Sequence, residues 1–306
     1  MTVTFIPPSI PPSVTPWQPL APCQPSTCVS PARSAASPLR LLGRIVSAAA
    51  VLLGGVPVAL VARRFDPVTR ARVTQVWARL LLWALGIKVL ASRGFSVLGG
   101  APTVSAVPSG DGTLLVANHI SWLDPLVMAA TLPCRPLAKS EVGEWPLIRT
   151  LARGAGVLFI HRDRLLALPE AVEGVASALR AGDTVVAFPE GTTWCGGEMG
   201  PFRPAVFQAA LNADAAVRPA TIHYRERAVT SARPCYVGGD TLVGSILRVA
   251  GTRDLTVTVT LFPPVRLSPA GRPHEARKAL ASVAEAQVRT ALHGTPPGAH
   301  ERQMIA

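Results

Sequence analysis

The chain has 306 residues, of which 49% are hydrophobic and only 16% are charged, and it carries a formal net charge of +12. This length accommodates one sizeable α/β domain with additional segments, and the apolar balance indicates membrane contact. A basic chain is typical of proteins that bind nucleic acid or an anionic lipid surface, but the sequence contains no zinc-finger spacing, RRM-type motif or basic coiled coil. We therefore expect membrane lipids, and no nucleic acid, as partners.

The first 38 residues contain ten prolines, many serines and no charge before Arg33. Such a segment supplies no hydrophobic core, so residues 1–38 are predicted to be a disordered tail. A basic region at the very start is missing, which is untypical of a signal peptide. At the other end, residues 295–306 are predicted to be a flexible tail.

Residues 39–94 are predicted to be membrane-associated. Ile45–Ala62 is uncharged over 18 residues, and a helix of that length spans about 27 Å, close to the thickness of a bilayer's hydrocarbon core. Val76–Ala91 is also apolar but contains Arg79 and Lys88, which is typical of an amphipathic helix at the interface. We predict a membrane-seated helical pair rather than two crossings, with burial of both helices inside a domain as the alternative.

From about residue 95, short β-rich runs alternate with helical patterns, which predicts one α/β domain over residues 95–294. The predicted strands are Thr113–Ala117, Pro136–Ala138, Val157–Ile160, Thr184–Phe188, Val217–His223 and Leu255–Phe262. The predicted helices are Pro169–Arg180, Pro204–Asn212 and Pro273–Leu292. The expected fold class is therefore α/β, with a central mixed sheet flanked by helices.

The five cysteines are scattered along the chain and are Cys23, Cys28, Cys134, Cys195 and Cys235. None shows the C-x-x-C spacing of a zinc site, and their number is odd. We therefore predict free thiols in a reducing compartment, with no metal site and no disulfide framework.

The most informative motif runs from Asn118 to Asp124. His119 directly follows a predicted strand, where α/β sheets place their sites, and a neutral histidine is a suitable base near pH 7. Asp124 lies five residues further on, which is not the spacing of neighbours on one helix face, so the segment must turn. Its carboxylate is predicted to orient the imidazole, as in a serine-protease triad, with capping of a helix that begins with Pro125 as the alternative. Because a carboxylate has two oxygens, the two roles can coexist.

A second motif, Phe188–Thr192, ends another apolar strand in an acidic turn. The strand delivers Glu190 and Gly191 to the same sheet edge as His119. Gly191 permits close backbone approach, and successive amides in such a turn bind anions. We predict that the turn holds a polar substrate head beside His119; the alternative is a turn that merely ends the strand.

Two cations follow predicted strands at the same edge. Arg162 comes after Val157–Ile160, and its planar guanidinium is suited to holding a phosphate. Lys139 follows Pro136–Ala138 and is a candidate second cation, although either side chain is alternatively a solvated strand end.

The sequence contains no G-x-S-x-G motif, which disfavours a serine hydrolase, and neither Walker A nor G-x-G-x-x-G is present.

In these motifs the chain resembles the 1-acyl-glycerol-3-phosphate acyltransferases, the broad lysophospholipid acyltransferase group. The resemblance covers residues 95–265 and rests on four ordered blocks, Asn118–Asp124, Gly156–Arg162, Phe188–Thr192 and a hydrophobic-proline block around Val217 and Pro219. The membrane-associated helical pair also fits this group. The resemblance implies a glycerolipid acyltransferase-like fold.

The resemblance also implies roles for these residues. His119 is the general base with Asp124 as its partner, and it takes the proton from a lysolipid hydroxyl. The oxygen then attacks the thioester of acyl-CoA or acyl-carrier protein, with no covalent acyl-enzyme, no metal and no organic cofactor. Arg162, Glu190 and Gly191 bind the acceptor head. We add as candidate substrate-binding residues Asn118, Ser121, Lys139, Thr192 and Arg203.

One residue departs from the family pattern. The Phe188–Thr192 block usually continues with an arginine that recognises the acceptor phosphate, whereas this chain has Thr193. A threonine here resembles the branch that acylates lyso-ornithine lipids, and Arg203 is a candidate to compensate. We expect acylation of 1-acyl-glycerol-3-phosphate to phosphatidic acid at the cytoplasmic face of the cell membrane. The alternatives are acylation of another lysolipid, such as lyso-ornithine lipid, and a catalytically silent membrane-surface protein.

Overall fold

The computed structural model describes residues 19–94, 112–160, 165–266, 273–293 and 303–304. Within these ranges it confirms the predicted α/β fold, because one mixed sheet of nine strands is flanked by helices. The strands are β1 (Ile87–Arg93), β2 (Thr113–Ala117), β3 (Arg135–Lys139), β4 (Leu158–Ile160), β5 (Thr184–Ala187), β6 (Ala216–Glu226), β7 (Val229–Thr230), β8 (Leu255–Leu261) and β9 (Gln303–Met304). The helices are α1 (Pro25–Cys28), α2 (Pro38–Ala62), α3 (Pro67–Ala84), α4 (Asp124–Thr131), α5 (Pro146–Gly154), α6 (Leu168–Arg180), α7 (Phe207–Asn212), α8 (Leu242–Ala250) and α9 (Pro273–His293).

The strand order brings the predicted motifs to one edge of the sheet. The order is β4-β3-β5-β2-β6-β8-β1-β9, and β7 pairs with β6. The first five strands run parallel to their neighbours, whereas β8 is antiparallel to β6. Val116 of β2 lies beside Ala187 of β5, so the two strands end together. The carboxyl edge of neighbouring parallel strands is where open α/β sheets bind ligands.

Both faces of the central strands are buried. In β2, Leu115 belongs to a hydrophobic cluster that includes residues of α3 and α4. Its neighbours Leu114 and Val116 belong to a second cluster with residues of α6, α7 and α9. Burial on both faces explains why β2 is a continuous apolar run and does not alternate with polar residues.

The second half of the N-terminal segment differs from the prediction. Val76–Ala91, predicted as one interfacial helix, divides into the end of α3 and most of β1. Gly86 separates them with a φ of +79°, a left-handed conformation that L side chains rarely adopt. Because β1 pairs with β8 along its whole length, the sheet begins at Ile87, before the predicted boundary at residue 95.

Among the described residues, α2 is the one helix long and apolar enough to cross a membrane, with a mean hydropathy of 2.4. Only 22% of its apolar window is buried. One side of the helix nevertheless packs against α3 and α5. The guanidinium of Arg44 also donates hydrogen bonds to the carbonyls of Ala250 and Thr252, at 2.8 and 2.7 Å. These contacts join α2 to the α/β domain, and the choice between a membrane-seated segment and two crossings stays a prediction.

The structure corrects the prediction of disorder for residues 19–37. The backbone N–H of Ser34 donates to Oε1 of the buried Glu226 at 2.6 Å, and Cys23 packs in the first hydrophobic cluster. A proline-rich segment without a core of its own is thus held by the domain that it crosses. At the other end, Gln303–Met304, inside the predicted flexible tail, pairs with β1. The rest of both predicted tails lies outside the described residues.

Candidate active site

His119 and Asp124 form a hydrogen-bonded pair at the carboxyl edge of the sheet. After β2 ends at Ala117, the chain turns so that Nδ1 of His119 lies 2.8 Å from Oδ2 of Asp124. The Asp124 side chain is fully buried, whereas 15% of the His119 side chain is exposed. Since the carboxylate engages Nδ1, Nε2 is the ring nitrogen through which the imidazole can accept a substrate proton.

The Asp124 carboxylate also holds the turn that carries His119. Its Oδ2 accepts the backbone N–H groups of Ile120 and Ser121, at 2.6 and 2.8 Å. The N-cap of α4 is Leu123, and the hydrogen-bond donors to Asp124 all lie outside α4, so the helix-cap interpretation of Asp124 is wrong. The carboxylate lies instead in the first turn of α4, where the helix dipole stabilises a negative charge.

The aromatic ring of Phe188 packs against the imidazole of His119. The ring centroids are 4.3 Å apart and the planes are inclined by 15°. The backbone carbonyl of His119 also accepts a hydrogen bond of 2.8 Å from the N–H of Trp194. Stacking on one face and the bond to Asp124 at Nδ1 together fix the orientation of the ring, which general-base catalysis requires.

Glu190 joins the two motifs through backbone hydrogen bonds. Its Oε1 accepts the N–H of His119 at 2.6 Å, and its Oε2 accepts the N–H of Gly200 at 2.7 Å. Burial, with a smaller effect from the charge of Asp124, raises the pKa of Glu190 to about 8. The two backbone hydrogen bonds act in the opposite direction and only partly offset this rise. Glu190 therefore positions the backbone at His119, and its contact with the acceptor head stays a prediction.

Gly191 closes the turn that follows β5. Its φ is +76°, and its N–H donates to the carbonyl of Phe188 at 3.1 Å. A Cβ at this position would lie 2.6 Å from Cγ of Pro19, so the N-terminal segment covers this side of the turn. Two residues further on, the hydroxyl of Thr193 donates to the carbonyl of Tyr236. Thr193 thus links two loops at the position where the resembled family carries its arginine.

Asn118 and Ser121 support the turn from inside. The side-chain amide of Asn118 donates to the carbonyl of Ile222 and accepts its N–H, at 3.0 and 2.8 Å, which ties the end of β2 to β6. Ser121 is fully buried, and its hydroxyl accepts a backbone N–H two residues further on. Thr192 is half-buried. Contact of these three residues with substrate stays a prediction.

Of the three predicted cations, the structure describes Lys139 and Arg203. Lys139 is exposed at the end of β3, one strand beyond β5. Arg203 is also exposed, and its N–H donates to the carbonyl of Pro189 at 2.9 Å, which keeps it beside the acidic turn. Arg162 lies outside the described residues, just beyond the end of β4. Contact of these cations with an acceptor stays a prediction.

Sequence reasoning missed Tyr224, whose hydroxyl donates to Oδ1 of Asp124 at 2.8 Å. Burial, together with the charge of Asp124, raises the pKa of Tyr224 well above its usual value, so the hydroxyl remains a donor. The signal was present, because Tyr224 directly follows the predicted strand Val217–His223 and continues the buried alternation of Ile222. A buried tyrosine hydroxyl needs a hydrogen-bond partner.

Comparison with known proteins agrees with this geometry. A family model described as Acyltransferase matches residues 103–223. The chain is 34% identical over 230 residues to the lyso-ornithine lipid O-acyltransferase of Pseudomonas aeruginosa, covering 74% of this chain and 80% of that protein. It is 33% identical over 177 residues to the 1-acyl-sn-glycerol-3-phosphate acyltransferase of Neisseria gonorrhoeae, covering 58% of this chain and 68% of that protein. The chain belongs to the acyltransferase family.

The fold comparison points to the same architecture. The crystal structure of the 1-acyl-sn-glycerophosphate acyltransferase PlsC from Thermotoga maritima matches with a TM-score of 0.58 at 18% identity, over 85% of this chain and 97% of that chain. This acyltransferase therefore has the expected glycerolipid acyltransferase-like fold. It is an enzyme of the lysophospholipid and acylglycerol-phosphate class. Together with the exposed apolar surface of α2, membership of this family indicates a membrane-associated protein.

Proposed function

We propose that this acyltransferase moves a fatty acyl chain from acyl-CoA or acyl-carrier protein to the free hydroxyl of 1-acyl-glycerol-3-phosphate, which yields phosphatidic acid. The observation that carries the proposal is the His119–Asp124 pair, with a buried carboxylate behind a partly exposed imidazole. A base held in this way activates a hydroxyl near neutral pH without a metal or an organic cofactor.

The reaction follows from the orientation of the ring. Nε2 of His119 removes the hydroxyl proton of the lysolipid while the oxygen forms a bond to the thioester carbonyl carbon. Asp124 stabilises the resulting imidazolium through Nδ1–H. The carbon–sulfur bond then breaks, and the departing thiolate takes the proton from the imidazolium. An ester and a free thiol result, and the neutral base is regenerated.

Positive charge near the site supports a phosphate-bearing acceptor. Arg203 is exposed and its backbone is bonded to Pro189 of the Glu190 turn, Lys139 is exposed at the end of the neighbouring strand β3, and Arg162 follows β4 in the sequence. Basic side chains hold a phosphate through charge-assisted hydrogen bonds. We also propose that the site faces the cytoplasm, because acyl-CoA and acyl-carrier protein are made there.

A second acceptor, a lyso-ornithine lipid, is favoured by Thr193. Its hydroxyl donates to the Tyr236 carbonyl and supplies no positive charge where the resembled family has an arginine. At least four relatives are named lyso-ornithine lipid O-acyltransferases, including the Pseudomonas aeruginosa protein. A zwitterionic head places less demand on a cation at this position than a phosphate monoester does.

An acceptor competition distinguishes the two. The detergent-solubilised full chain is given long-chain acyl-CoA, or acyl-carrier protein, with equal amounts of both lysolipids, and the acylated products are quantified. Predominant phosphatidic acid supports the main proposal, and predominant ornithine lipid supports the second. If neither donor is consumed by the wild type, or if His119→Ala consumes it equally fast, the general-base proposal is wrong.

A charge variant tests the role of position 193. Thr193→Arg should raise kcat/KM for 1-acyl-glycerol-3-phosphate relative to lyso-ornithine lipid, because it adds a phosphate ligand next to Thr192. Thr230→Arg, which adds the same charge in β7, is the matched control. An equal change in both variants would assign the effect to overall charge.

A further inference from the structure

Three cysteine thiols converge beside the active site. The sulfur atoms of Cys23, Cys28 and Cys195 all lie within 4.8 Å of one another. Cys23 and Cys28 belong to the N-terminal segment around α1, whereas Cys195 follows the Phe188–Thr192 turn. The sequence spacing does not reveal this group, because the third cysteine is far from the other two along the chain.

The spacing of the sulfur atoms is close to that of a coordinated metal ion. Zinc–sulfur bonds of about 2.3 Å at tetrahedral angles separate two sulfur ligands by roughly 3.8 Å. Sulfur atoms within 4.8 Å therefore reach that geometry by small side-chain movements. A disulfide would use two of the three thiols and would not explain the third.

The surroundings of the three sulfurs also fit a metal site. The hydroxyl of Thr27 lies 3.7 Å from the Cys28 sulfur, within hydrogen-bonding distance. Cys23 is buried, whereas Cys28 and Cys195 are half-buried, so the group has an inner side and an accessible side. Outer hydrogen bonds of this kind orient metal ligands, and the accessible side gives an ion a path of entry.

We infer that Cys23, Cys28 and Cys195 bind one thiophilic metal ion, and that Zn²⁺ fits the site. Three thiol protons leave to solvent as three sulfur–metal bonds form, and a water molecule completes the tetrahedron on the accessible side. Soft thiolate ligands favour Zn²⁺ over Mg²⁺ or Ca²⁺, which prefer oxygen.

The bound ion would fasten the N-terminal segment to the loop that follows the candidate acceptor turn. In the same segment, Pro19 lies against Gly191, and the side-chain carbonyl of Gln24 accepts the N–H of Gly239 at 3.4 Å. The ion would thus stabilise the wall of the site and would not take part in the chemistry. This inference does not depend on which lysolipid is acylated.

Metal binding is tested directly on the reduced full chain in detergent, with any affinity tag removed. Co²⁺ replaces Zn²⁺ as a spectroscopic probe, because thiolate ligation produces an intense near-ultraviolet charge-transfer band. We expect one Co²⁺ per chain, displaced by Zn²⁺. Cys28→Ala and Cys195→Ala should each weaken binding at least tenfold, whereas the matched variant Cys134→Ala, which removes a buried thiol outside the group, should bind like the wild type.

Alkylation of the wild type keeps the inference testable even if a variant fails to fold. Zn²⁺ should protect Cys28 and Cys195 from iodoacetamide, and a chelator should restore their labelling, as mass spectrometry of the digested protein would show. The inference is overturned if the reduced protein shows no thiolate–cobalt band, or if Zn²⁺ leaves labelling unchanged. It is also overturned if Cys134→Ala weakens binding as much as Cys195→Ala does.

Discussion

The hydroxyl of Tyr224 donates a hydrogen bond of 2.8 Å to Oδ1 of Asp124, the carboxylate oxygen that His119 does not engage. Both side chains are buried, and Tyr224 extends from β6 while His119 follows β2. The carboxylate is therefore held from two neighbouring strands. The hydrogen bond from Tyr224 fixes the position of the Asp124 carboxylate. It also reduces the strength with which the carboxylate interacts with the imidazole of His119.

Tyr224→Phe should lower kcat without removing the base, because the Asp124 carboxylate loses one of the donors that hold it behind His119. The free energy of unfolding should fall by about 1.5–3 kcal/mol, because a hydrogen bond to a charged group is lost. Steady-state kinetics and thermal unfolding measure the two effects. Tyr236→Phe is the matched control, and an identical loss of kcat in that variant would remove Tyr224 from the mechanism.

His119→Ala should reduce kcat by about 10²–10⁴, the usual contribution of a general base. Thioester consumption by the folded variant, with the fold checked by circular dichroism, measures this loss. The surrounding backbone should remain in place, because Asp124 and Glu190 hold the turn through main-chain N–H groups. A residual rate close to that of the wild type would contradict the role of His119.

Asp124→Asn separates charge from geometry. The asparagine oxygen can still accept from Ile120, Ser121 and the imidazole, and its NH₂ group can donate to Tyr224, so the fold should survive. Because the negative charge that stabilises the imidazolium is lost, kcat should fall, and the analogous triad change, which also fixes the wrong tautomer, sets an upper bound of about 10⁴ on the loss. Steady-state kinetics beside thermal unfolding checks this. A large loss of stability with an unchanged rate would instead mean that Asp124 is only structural.

The sheet and the pairing of His119 with Asp124 could be predicted from the sequence because their signals are local. Continuous apolar runs predict strands buried on both faces, and His119 and Asp124 are only five residues apart. The end of α3 was misplaced because apolar residues continue through Gly86 into β1. Periodicity alone does not distinguish a short buried strand from the end of a helix.

The contacts that could not be predicted join residues far apart in the chain. The Glu190 bond to the His119 backbone spans 71 residues, and the Tyr224 bond to Asp124 spans 100. Residues 19–37 were predicted to be disordered because composition measures only the core that a segment itself can form. Their order comes from partners elsewhere in the chain, such as the carboxylate of Glu226.

Glu190→Gln should change how stability depends on pH. The pKa of Glu190 is raised from 4.5 to about 8 by burial, so between these values the folded state holds more protons than the unfolded state. The contribution of Glu190 to the free energy of unfolding is fully present below pH 4.5 and is lost as the pH rises towards 8. Over this range the free energy of unfolding falls by at most about 1.4 kcal/mol per pH unit. Thermal unfolding from pH 5 to 8 should therefore show a steeper decline in the wild type than in Glu190→Gln. Parallel curves would contradict the raised pKa.

The exposed side of α2 should hold the protein at the membrane. Leu53 and Leu60 are 64% and 50% exposed, and burying a leucine side chain in an apolar phase is worth about 1.5–3 kcal/mol. The double variant Leu53→Gln/Leu60→Gln should therefore bind lipid vesicles at least tenfold more weakly, as measured by co-sedimentation. Because glutamine is neutral, the electrostatic attraction of the protein to anionic lipid should not change. The control is Leu166→Gln, which changes a residue 98% exposed near α6, on the other face of the sheet. If both proteins lose partition equally, α2 is not the membrane-binding surface.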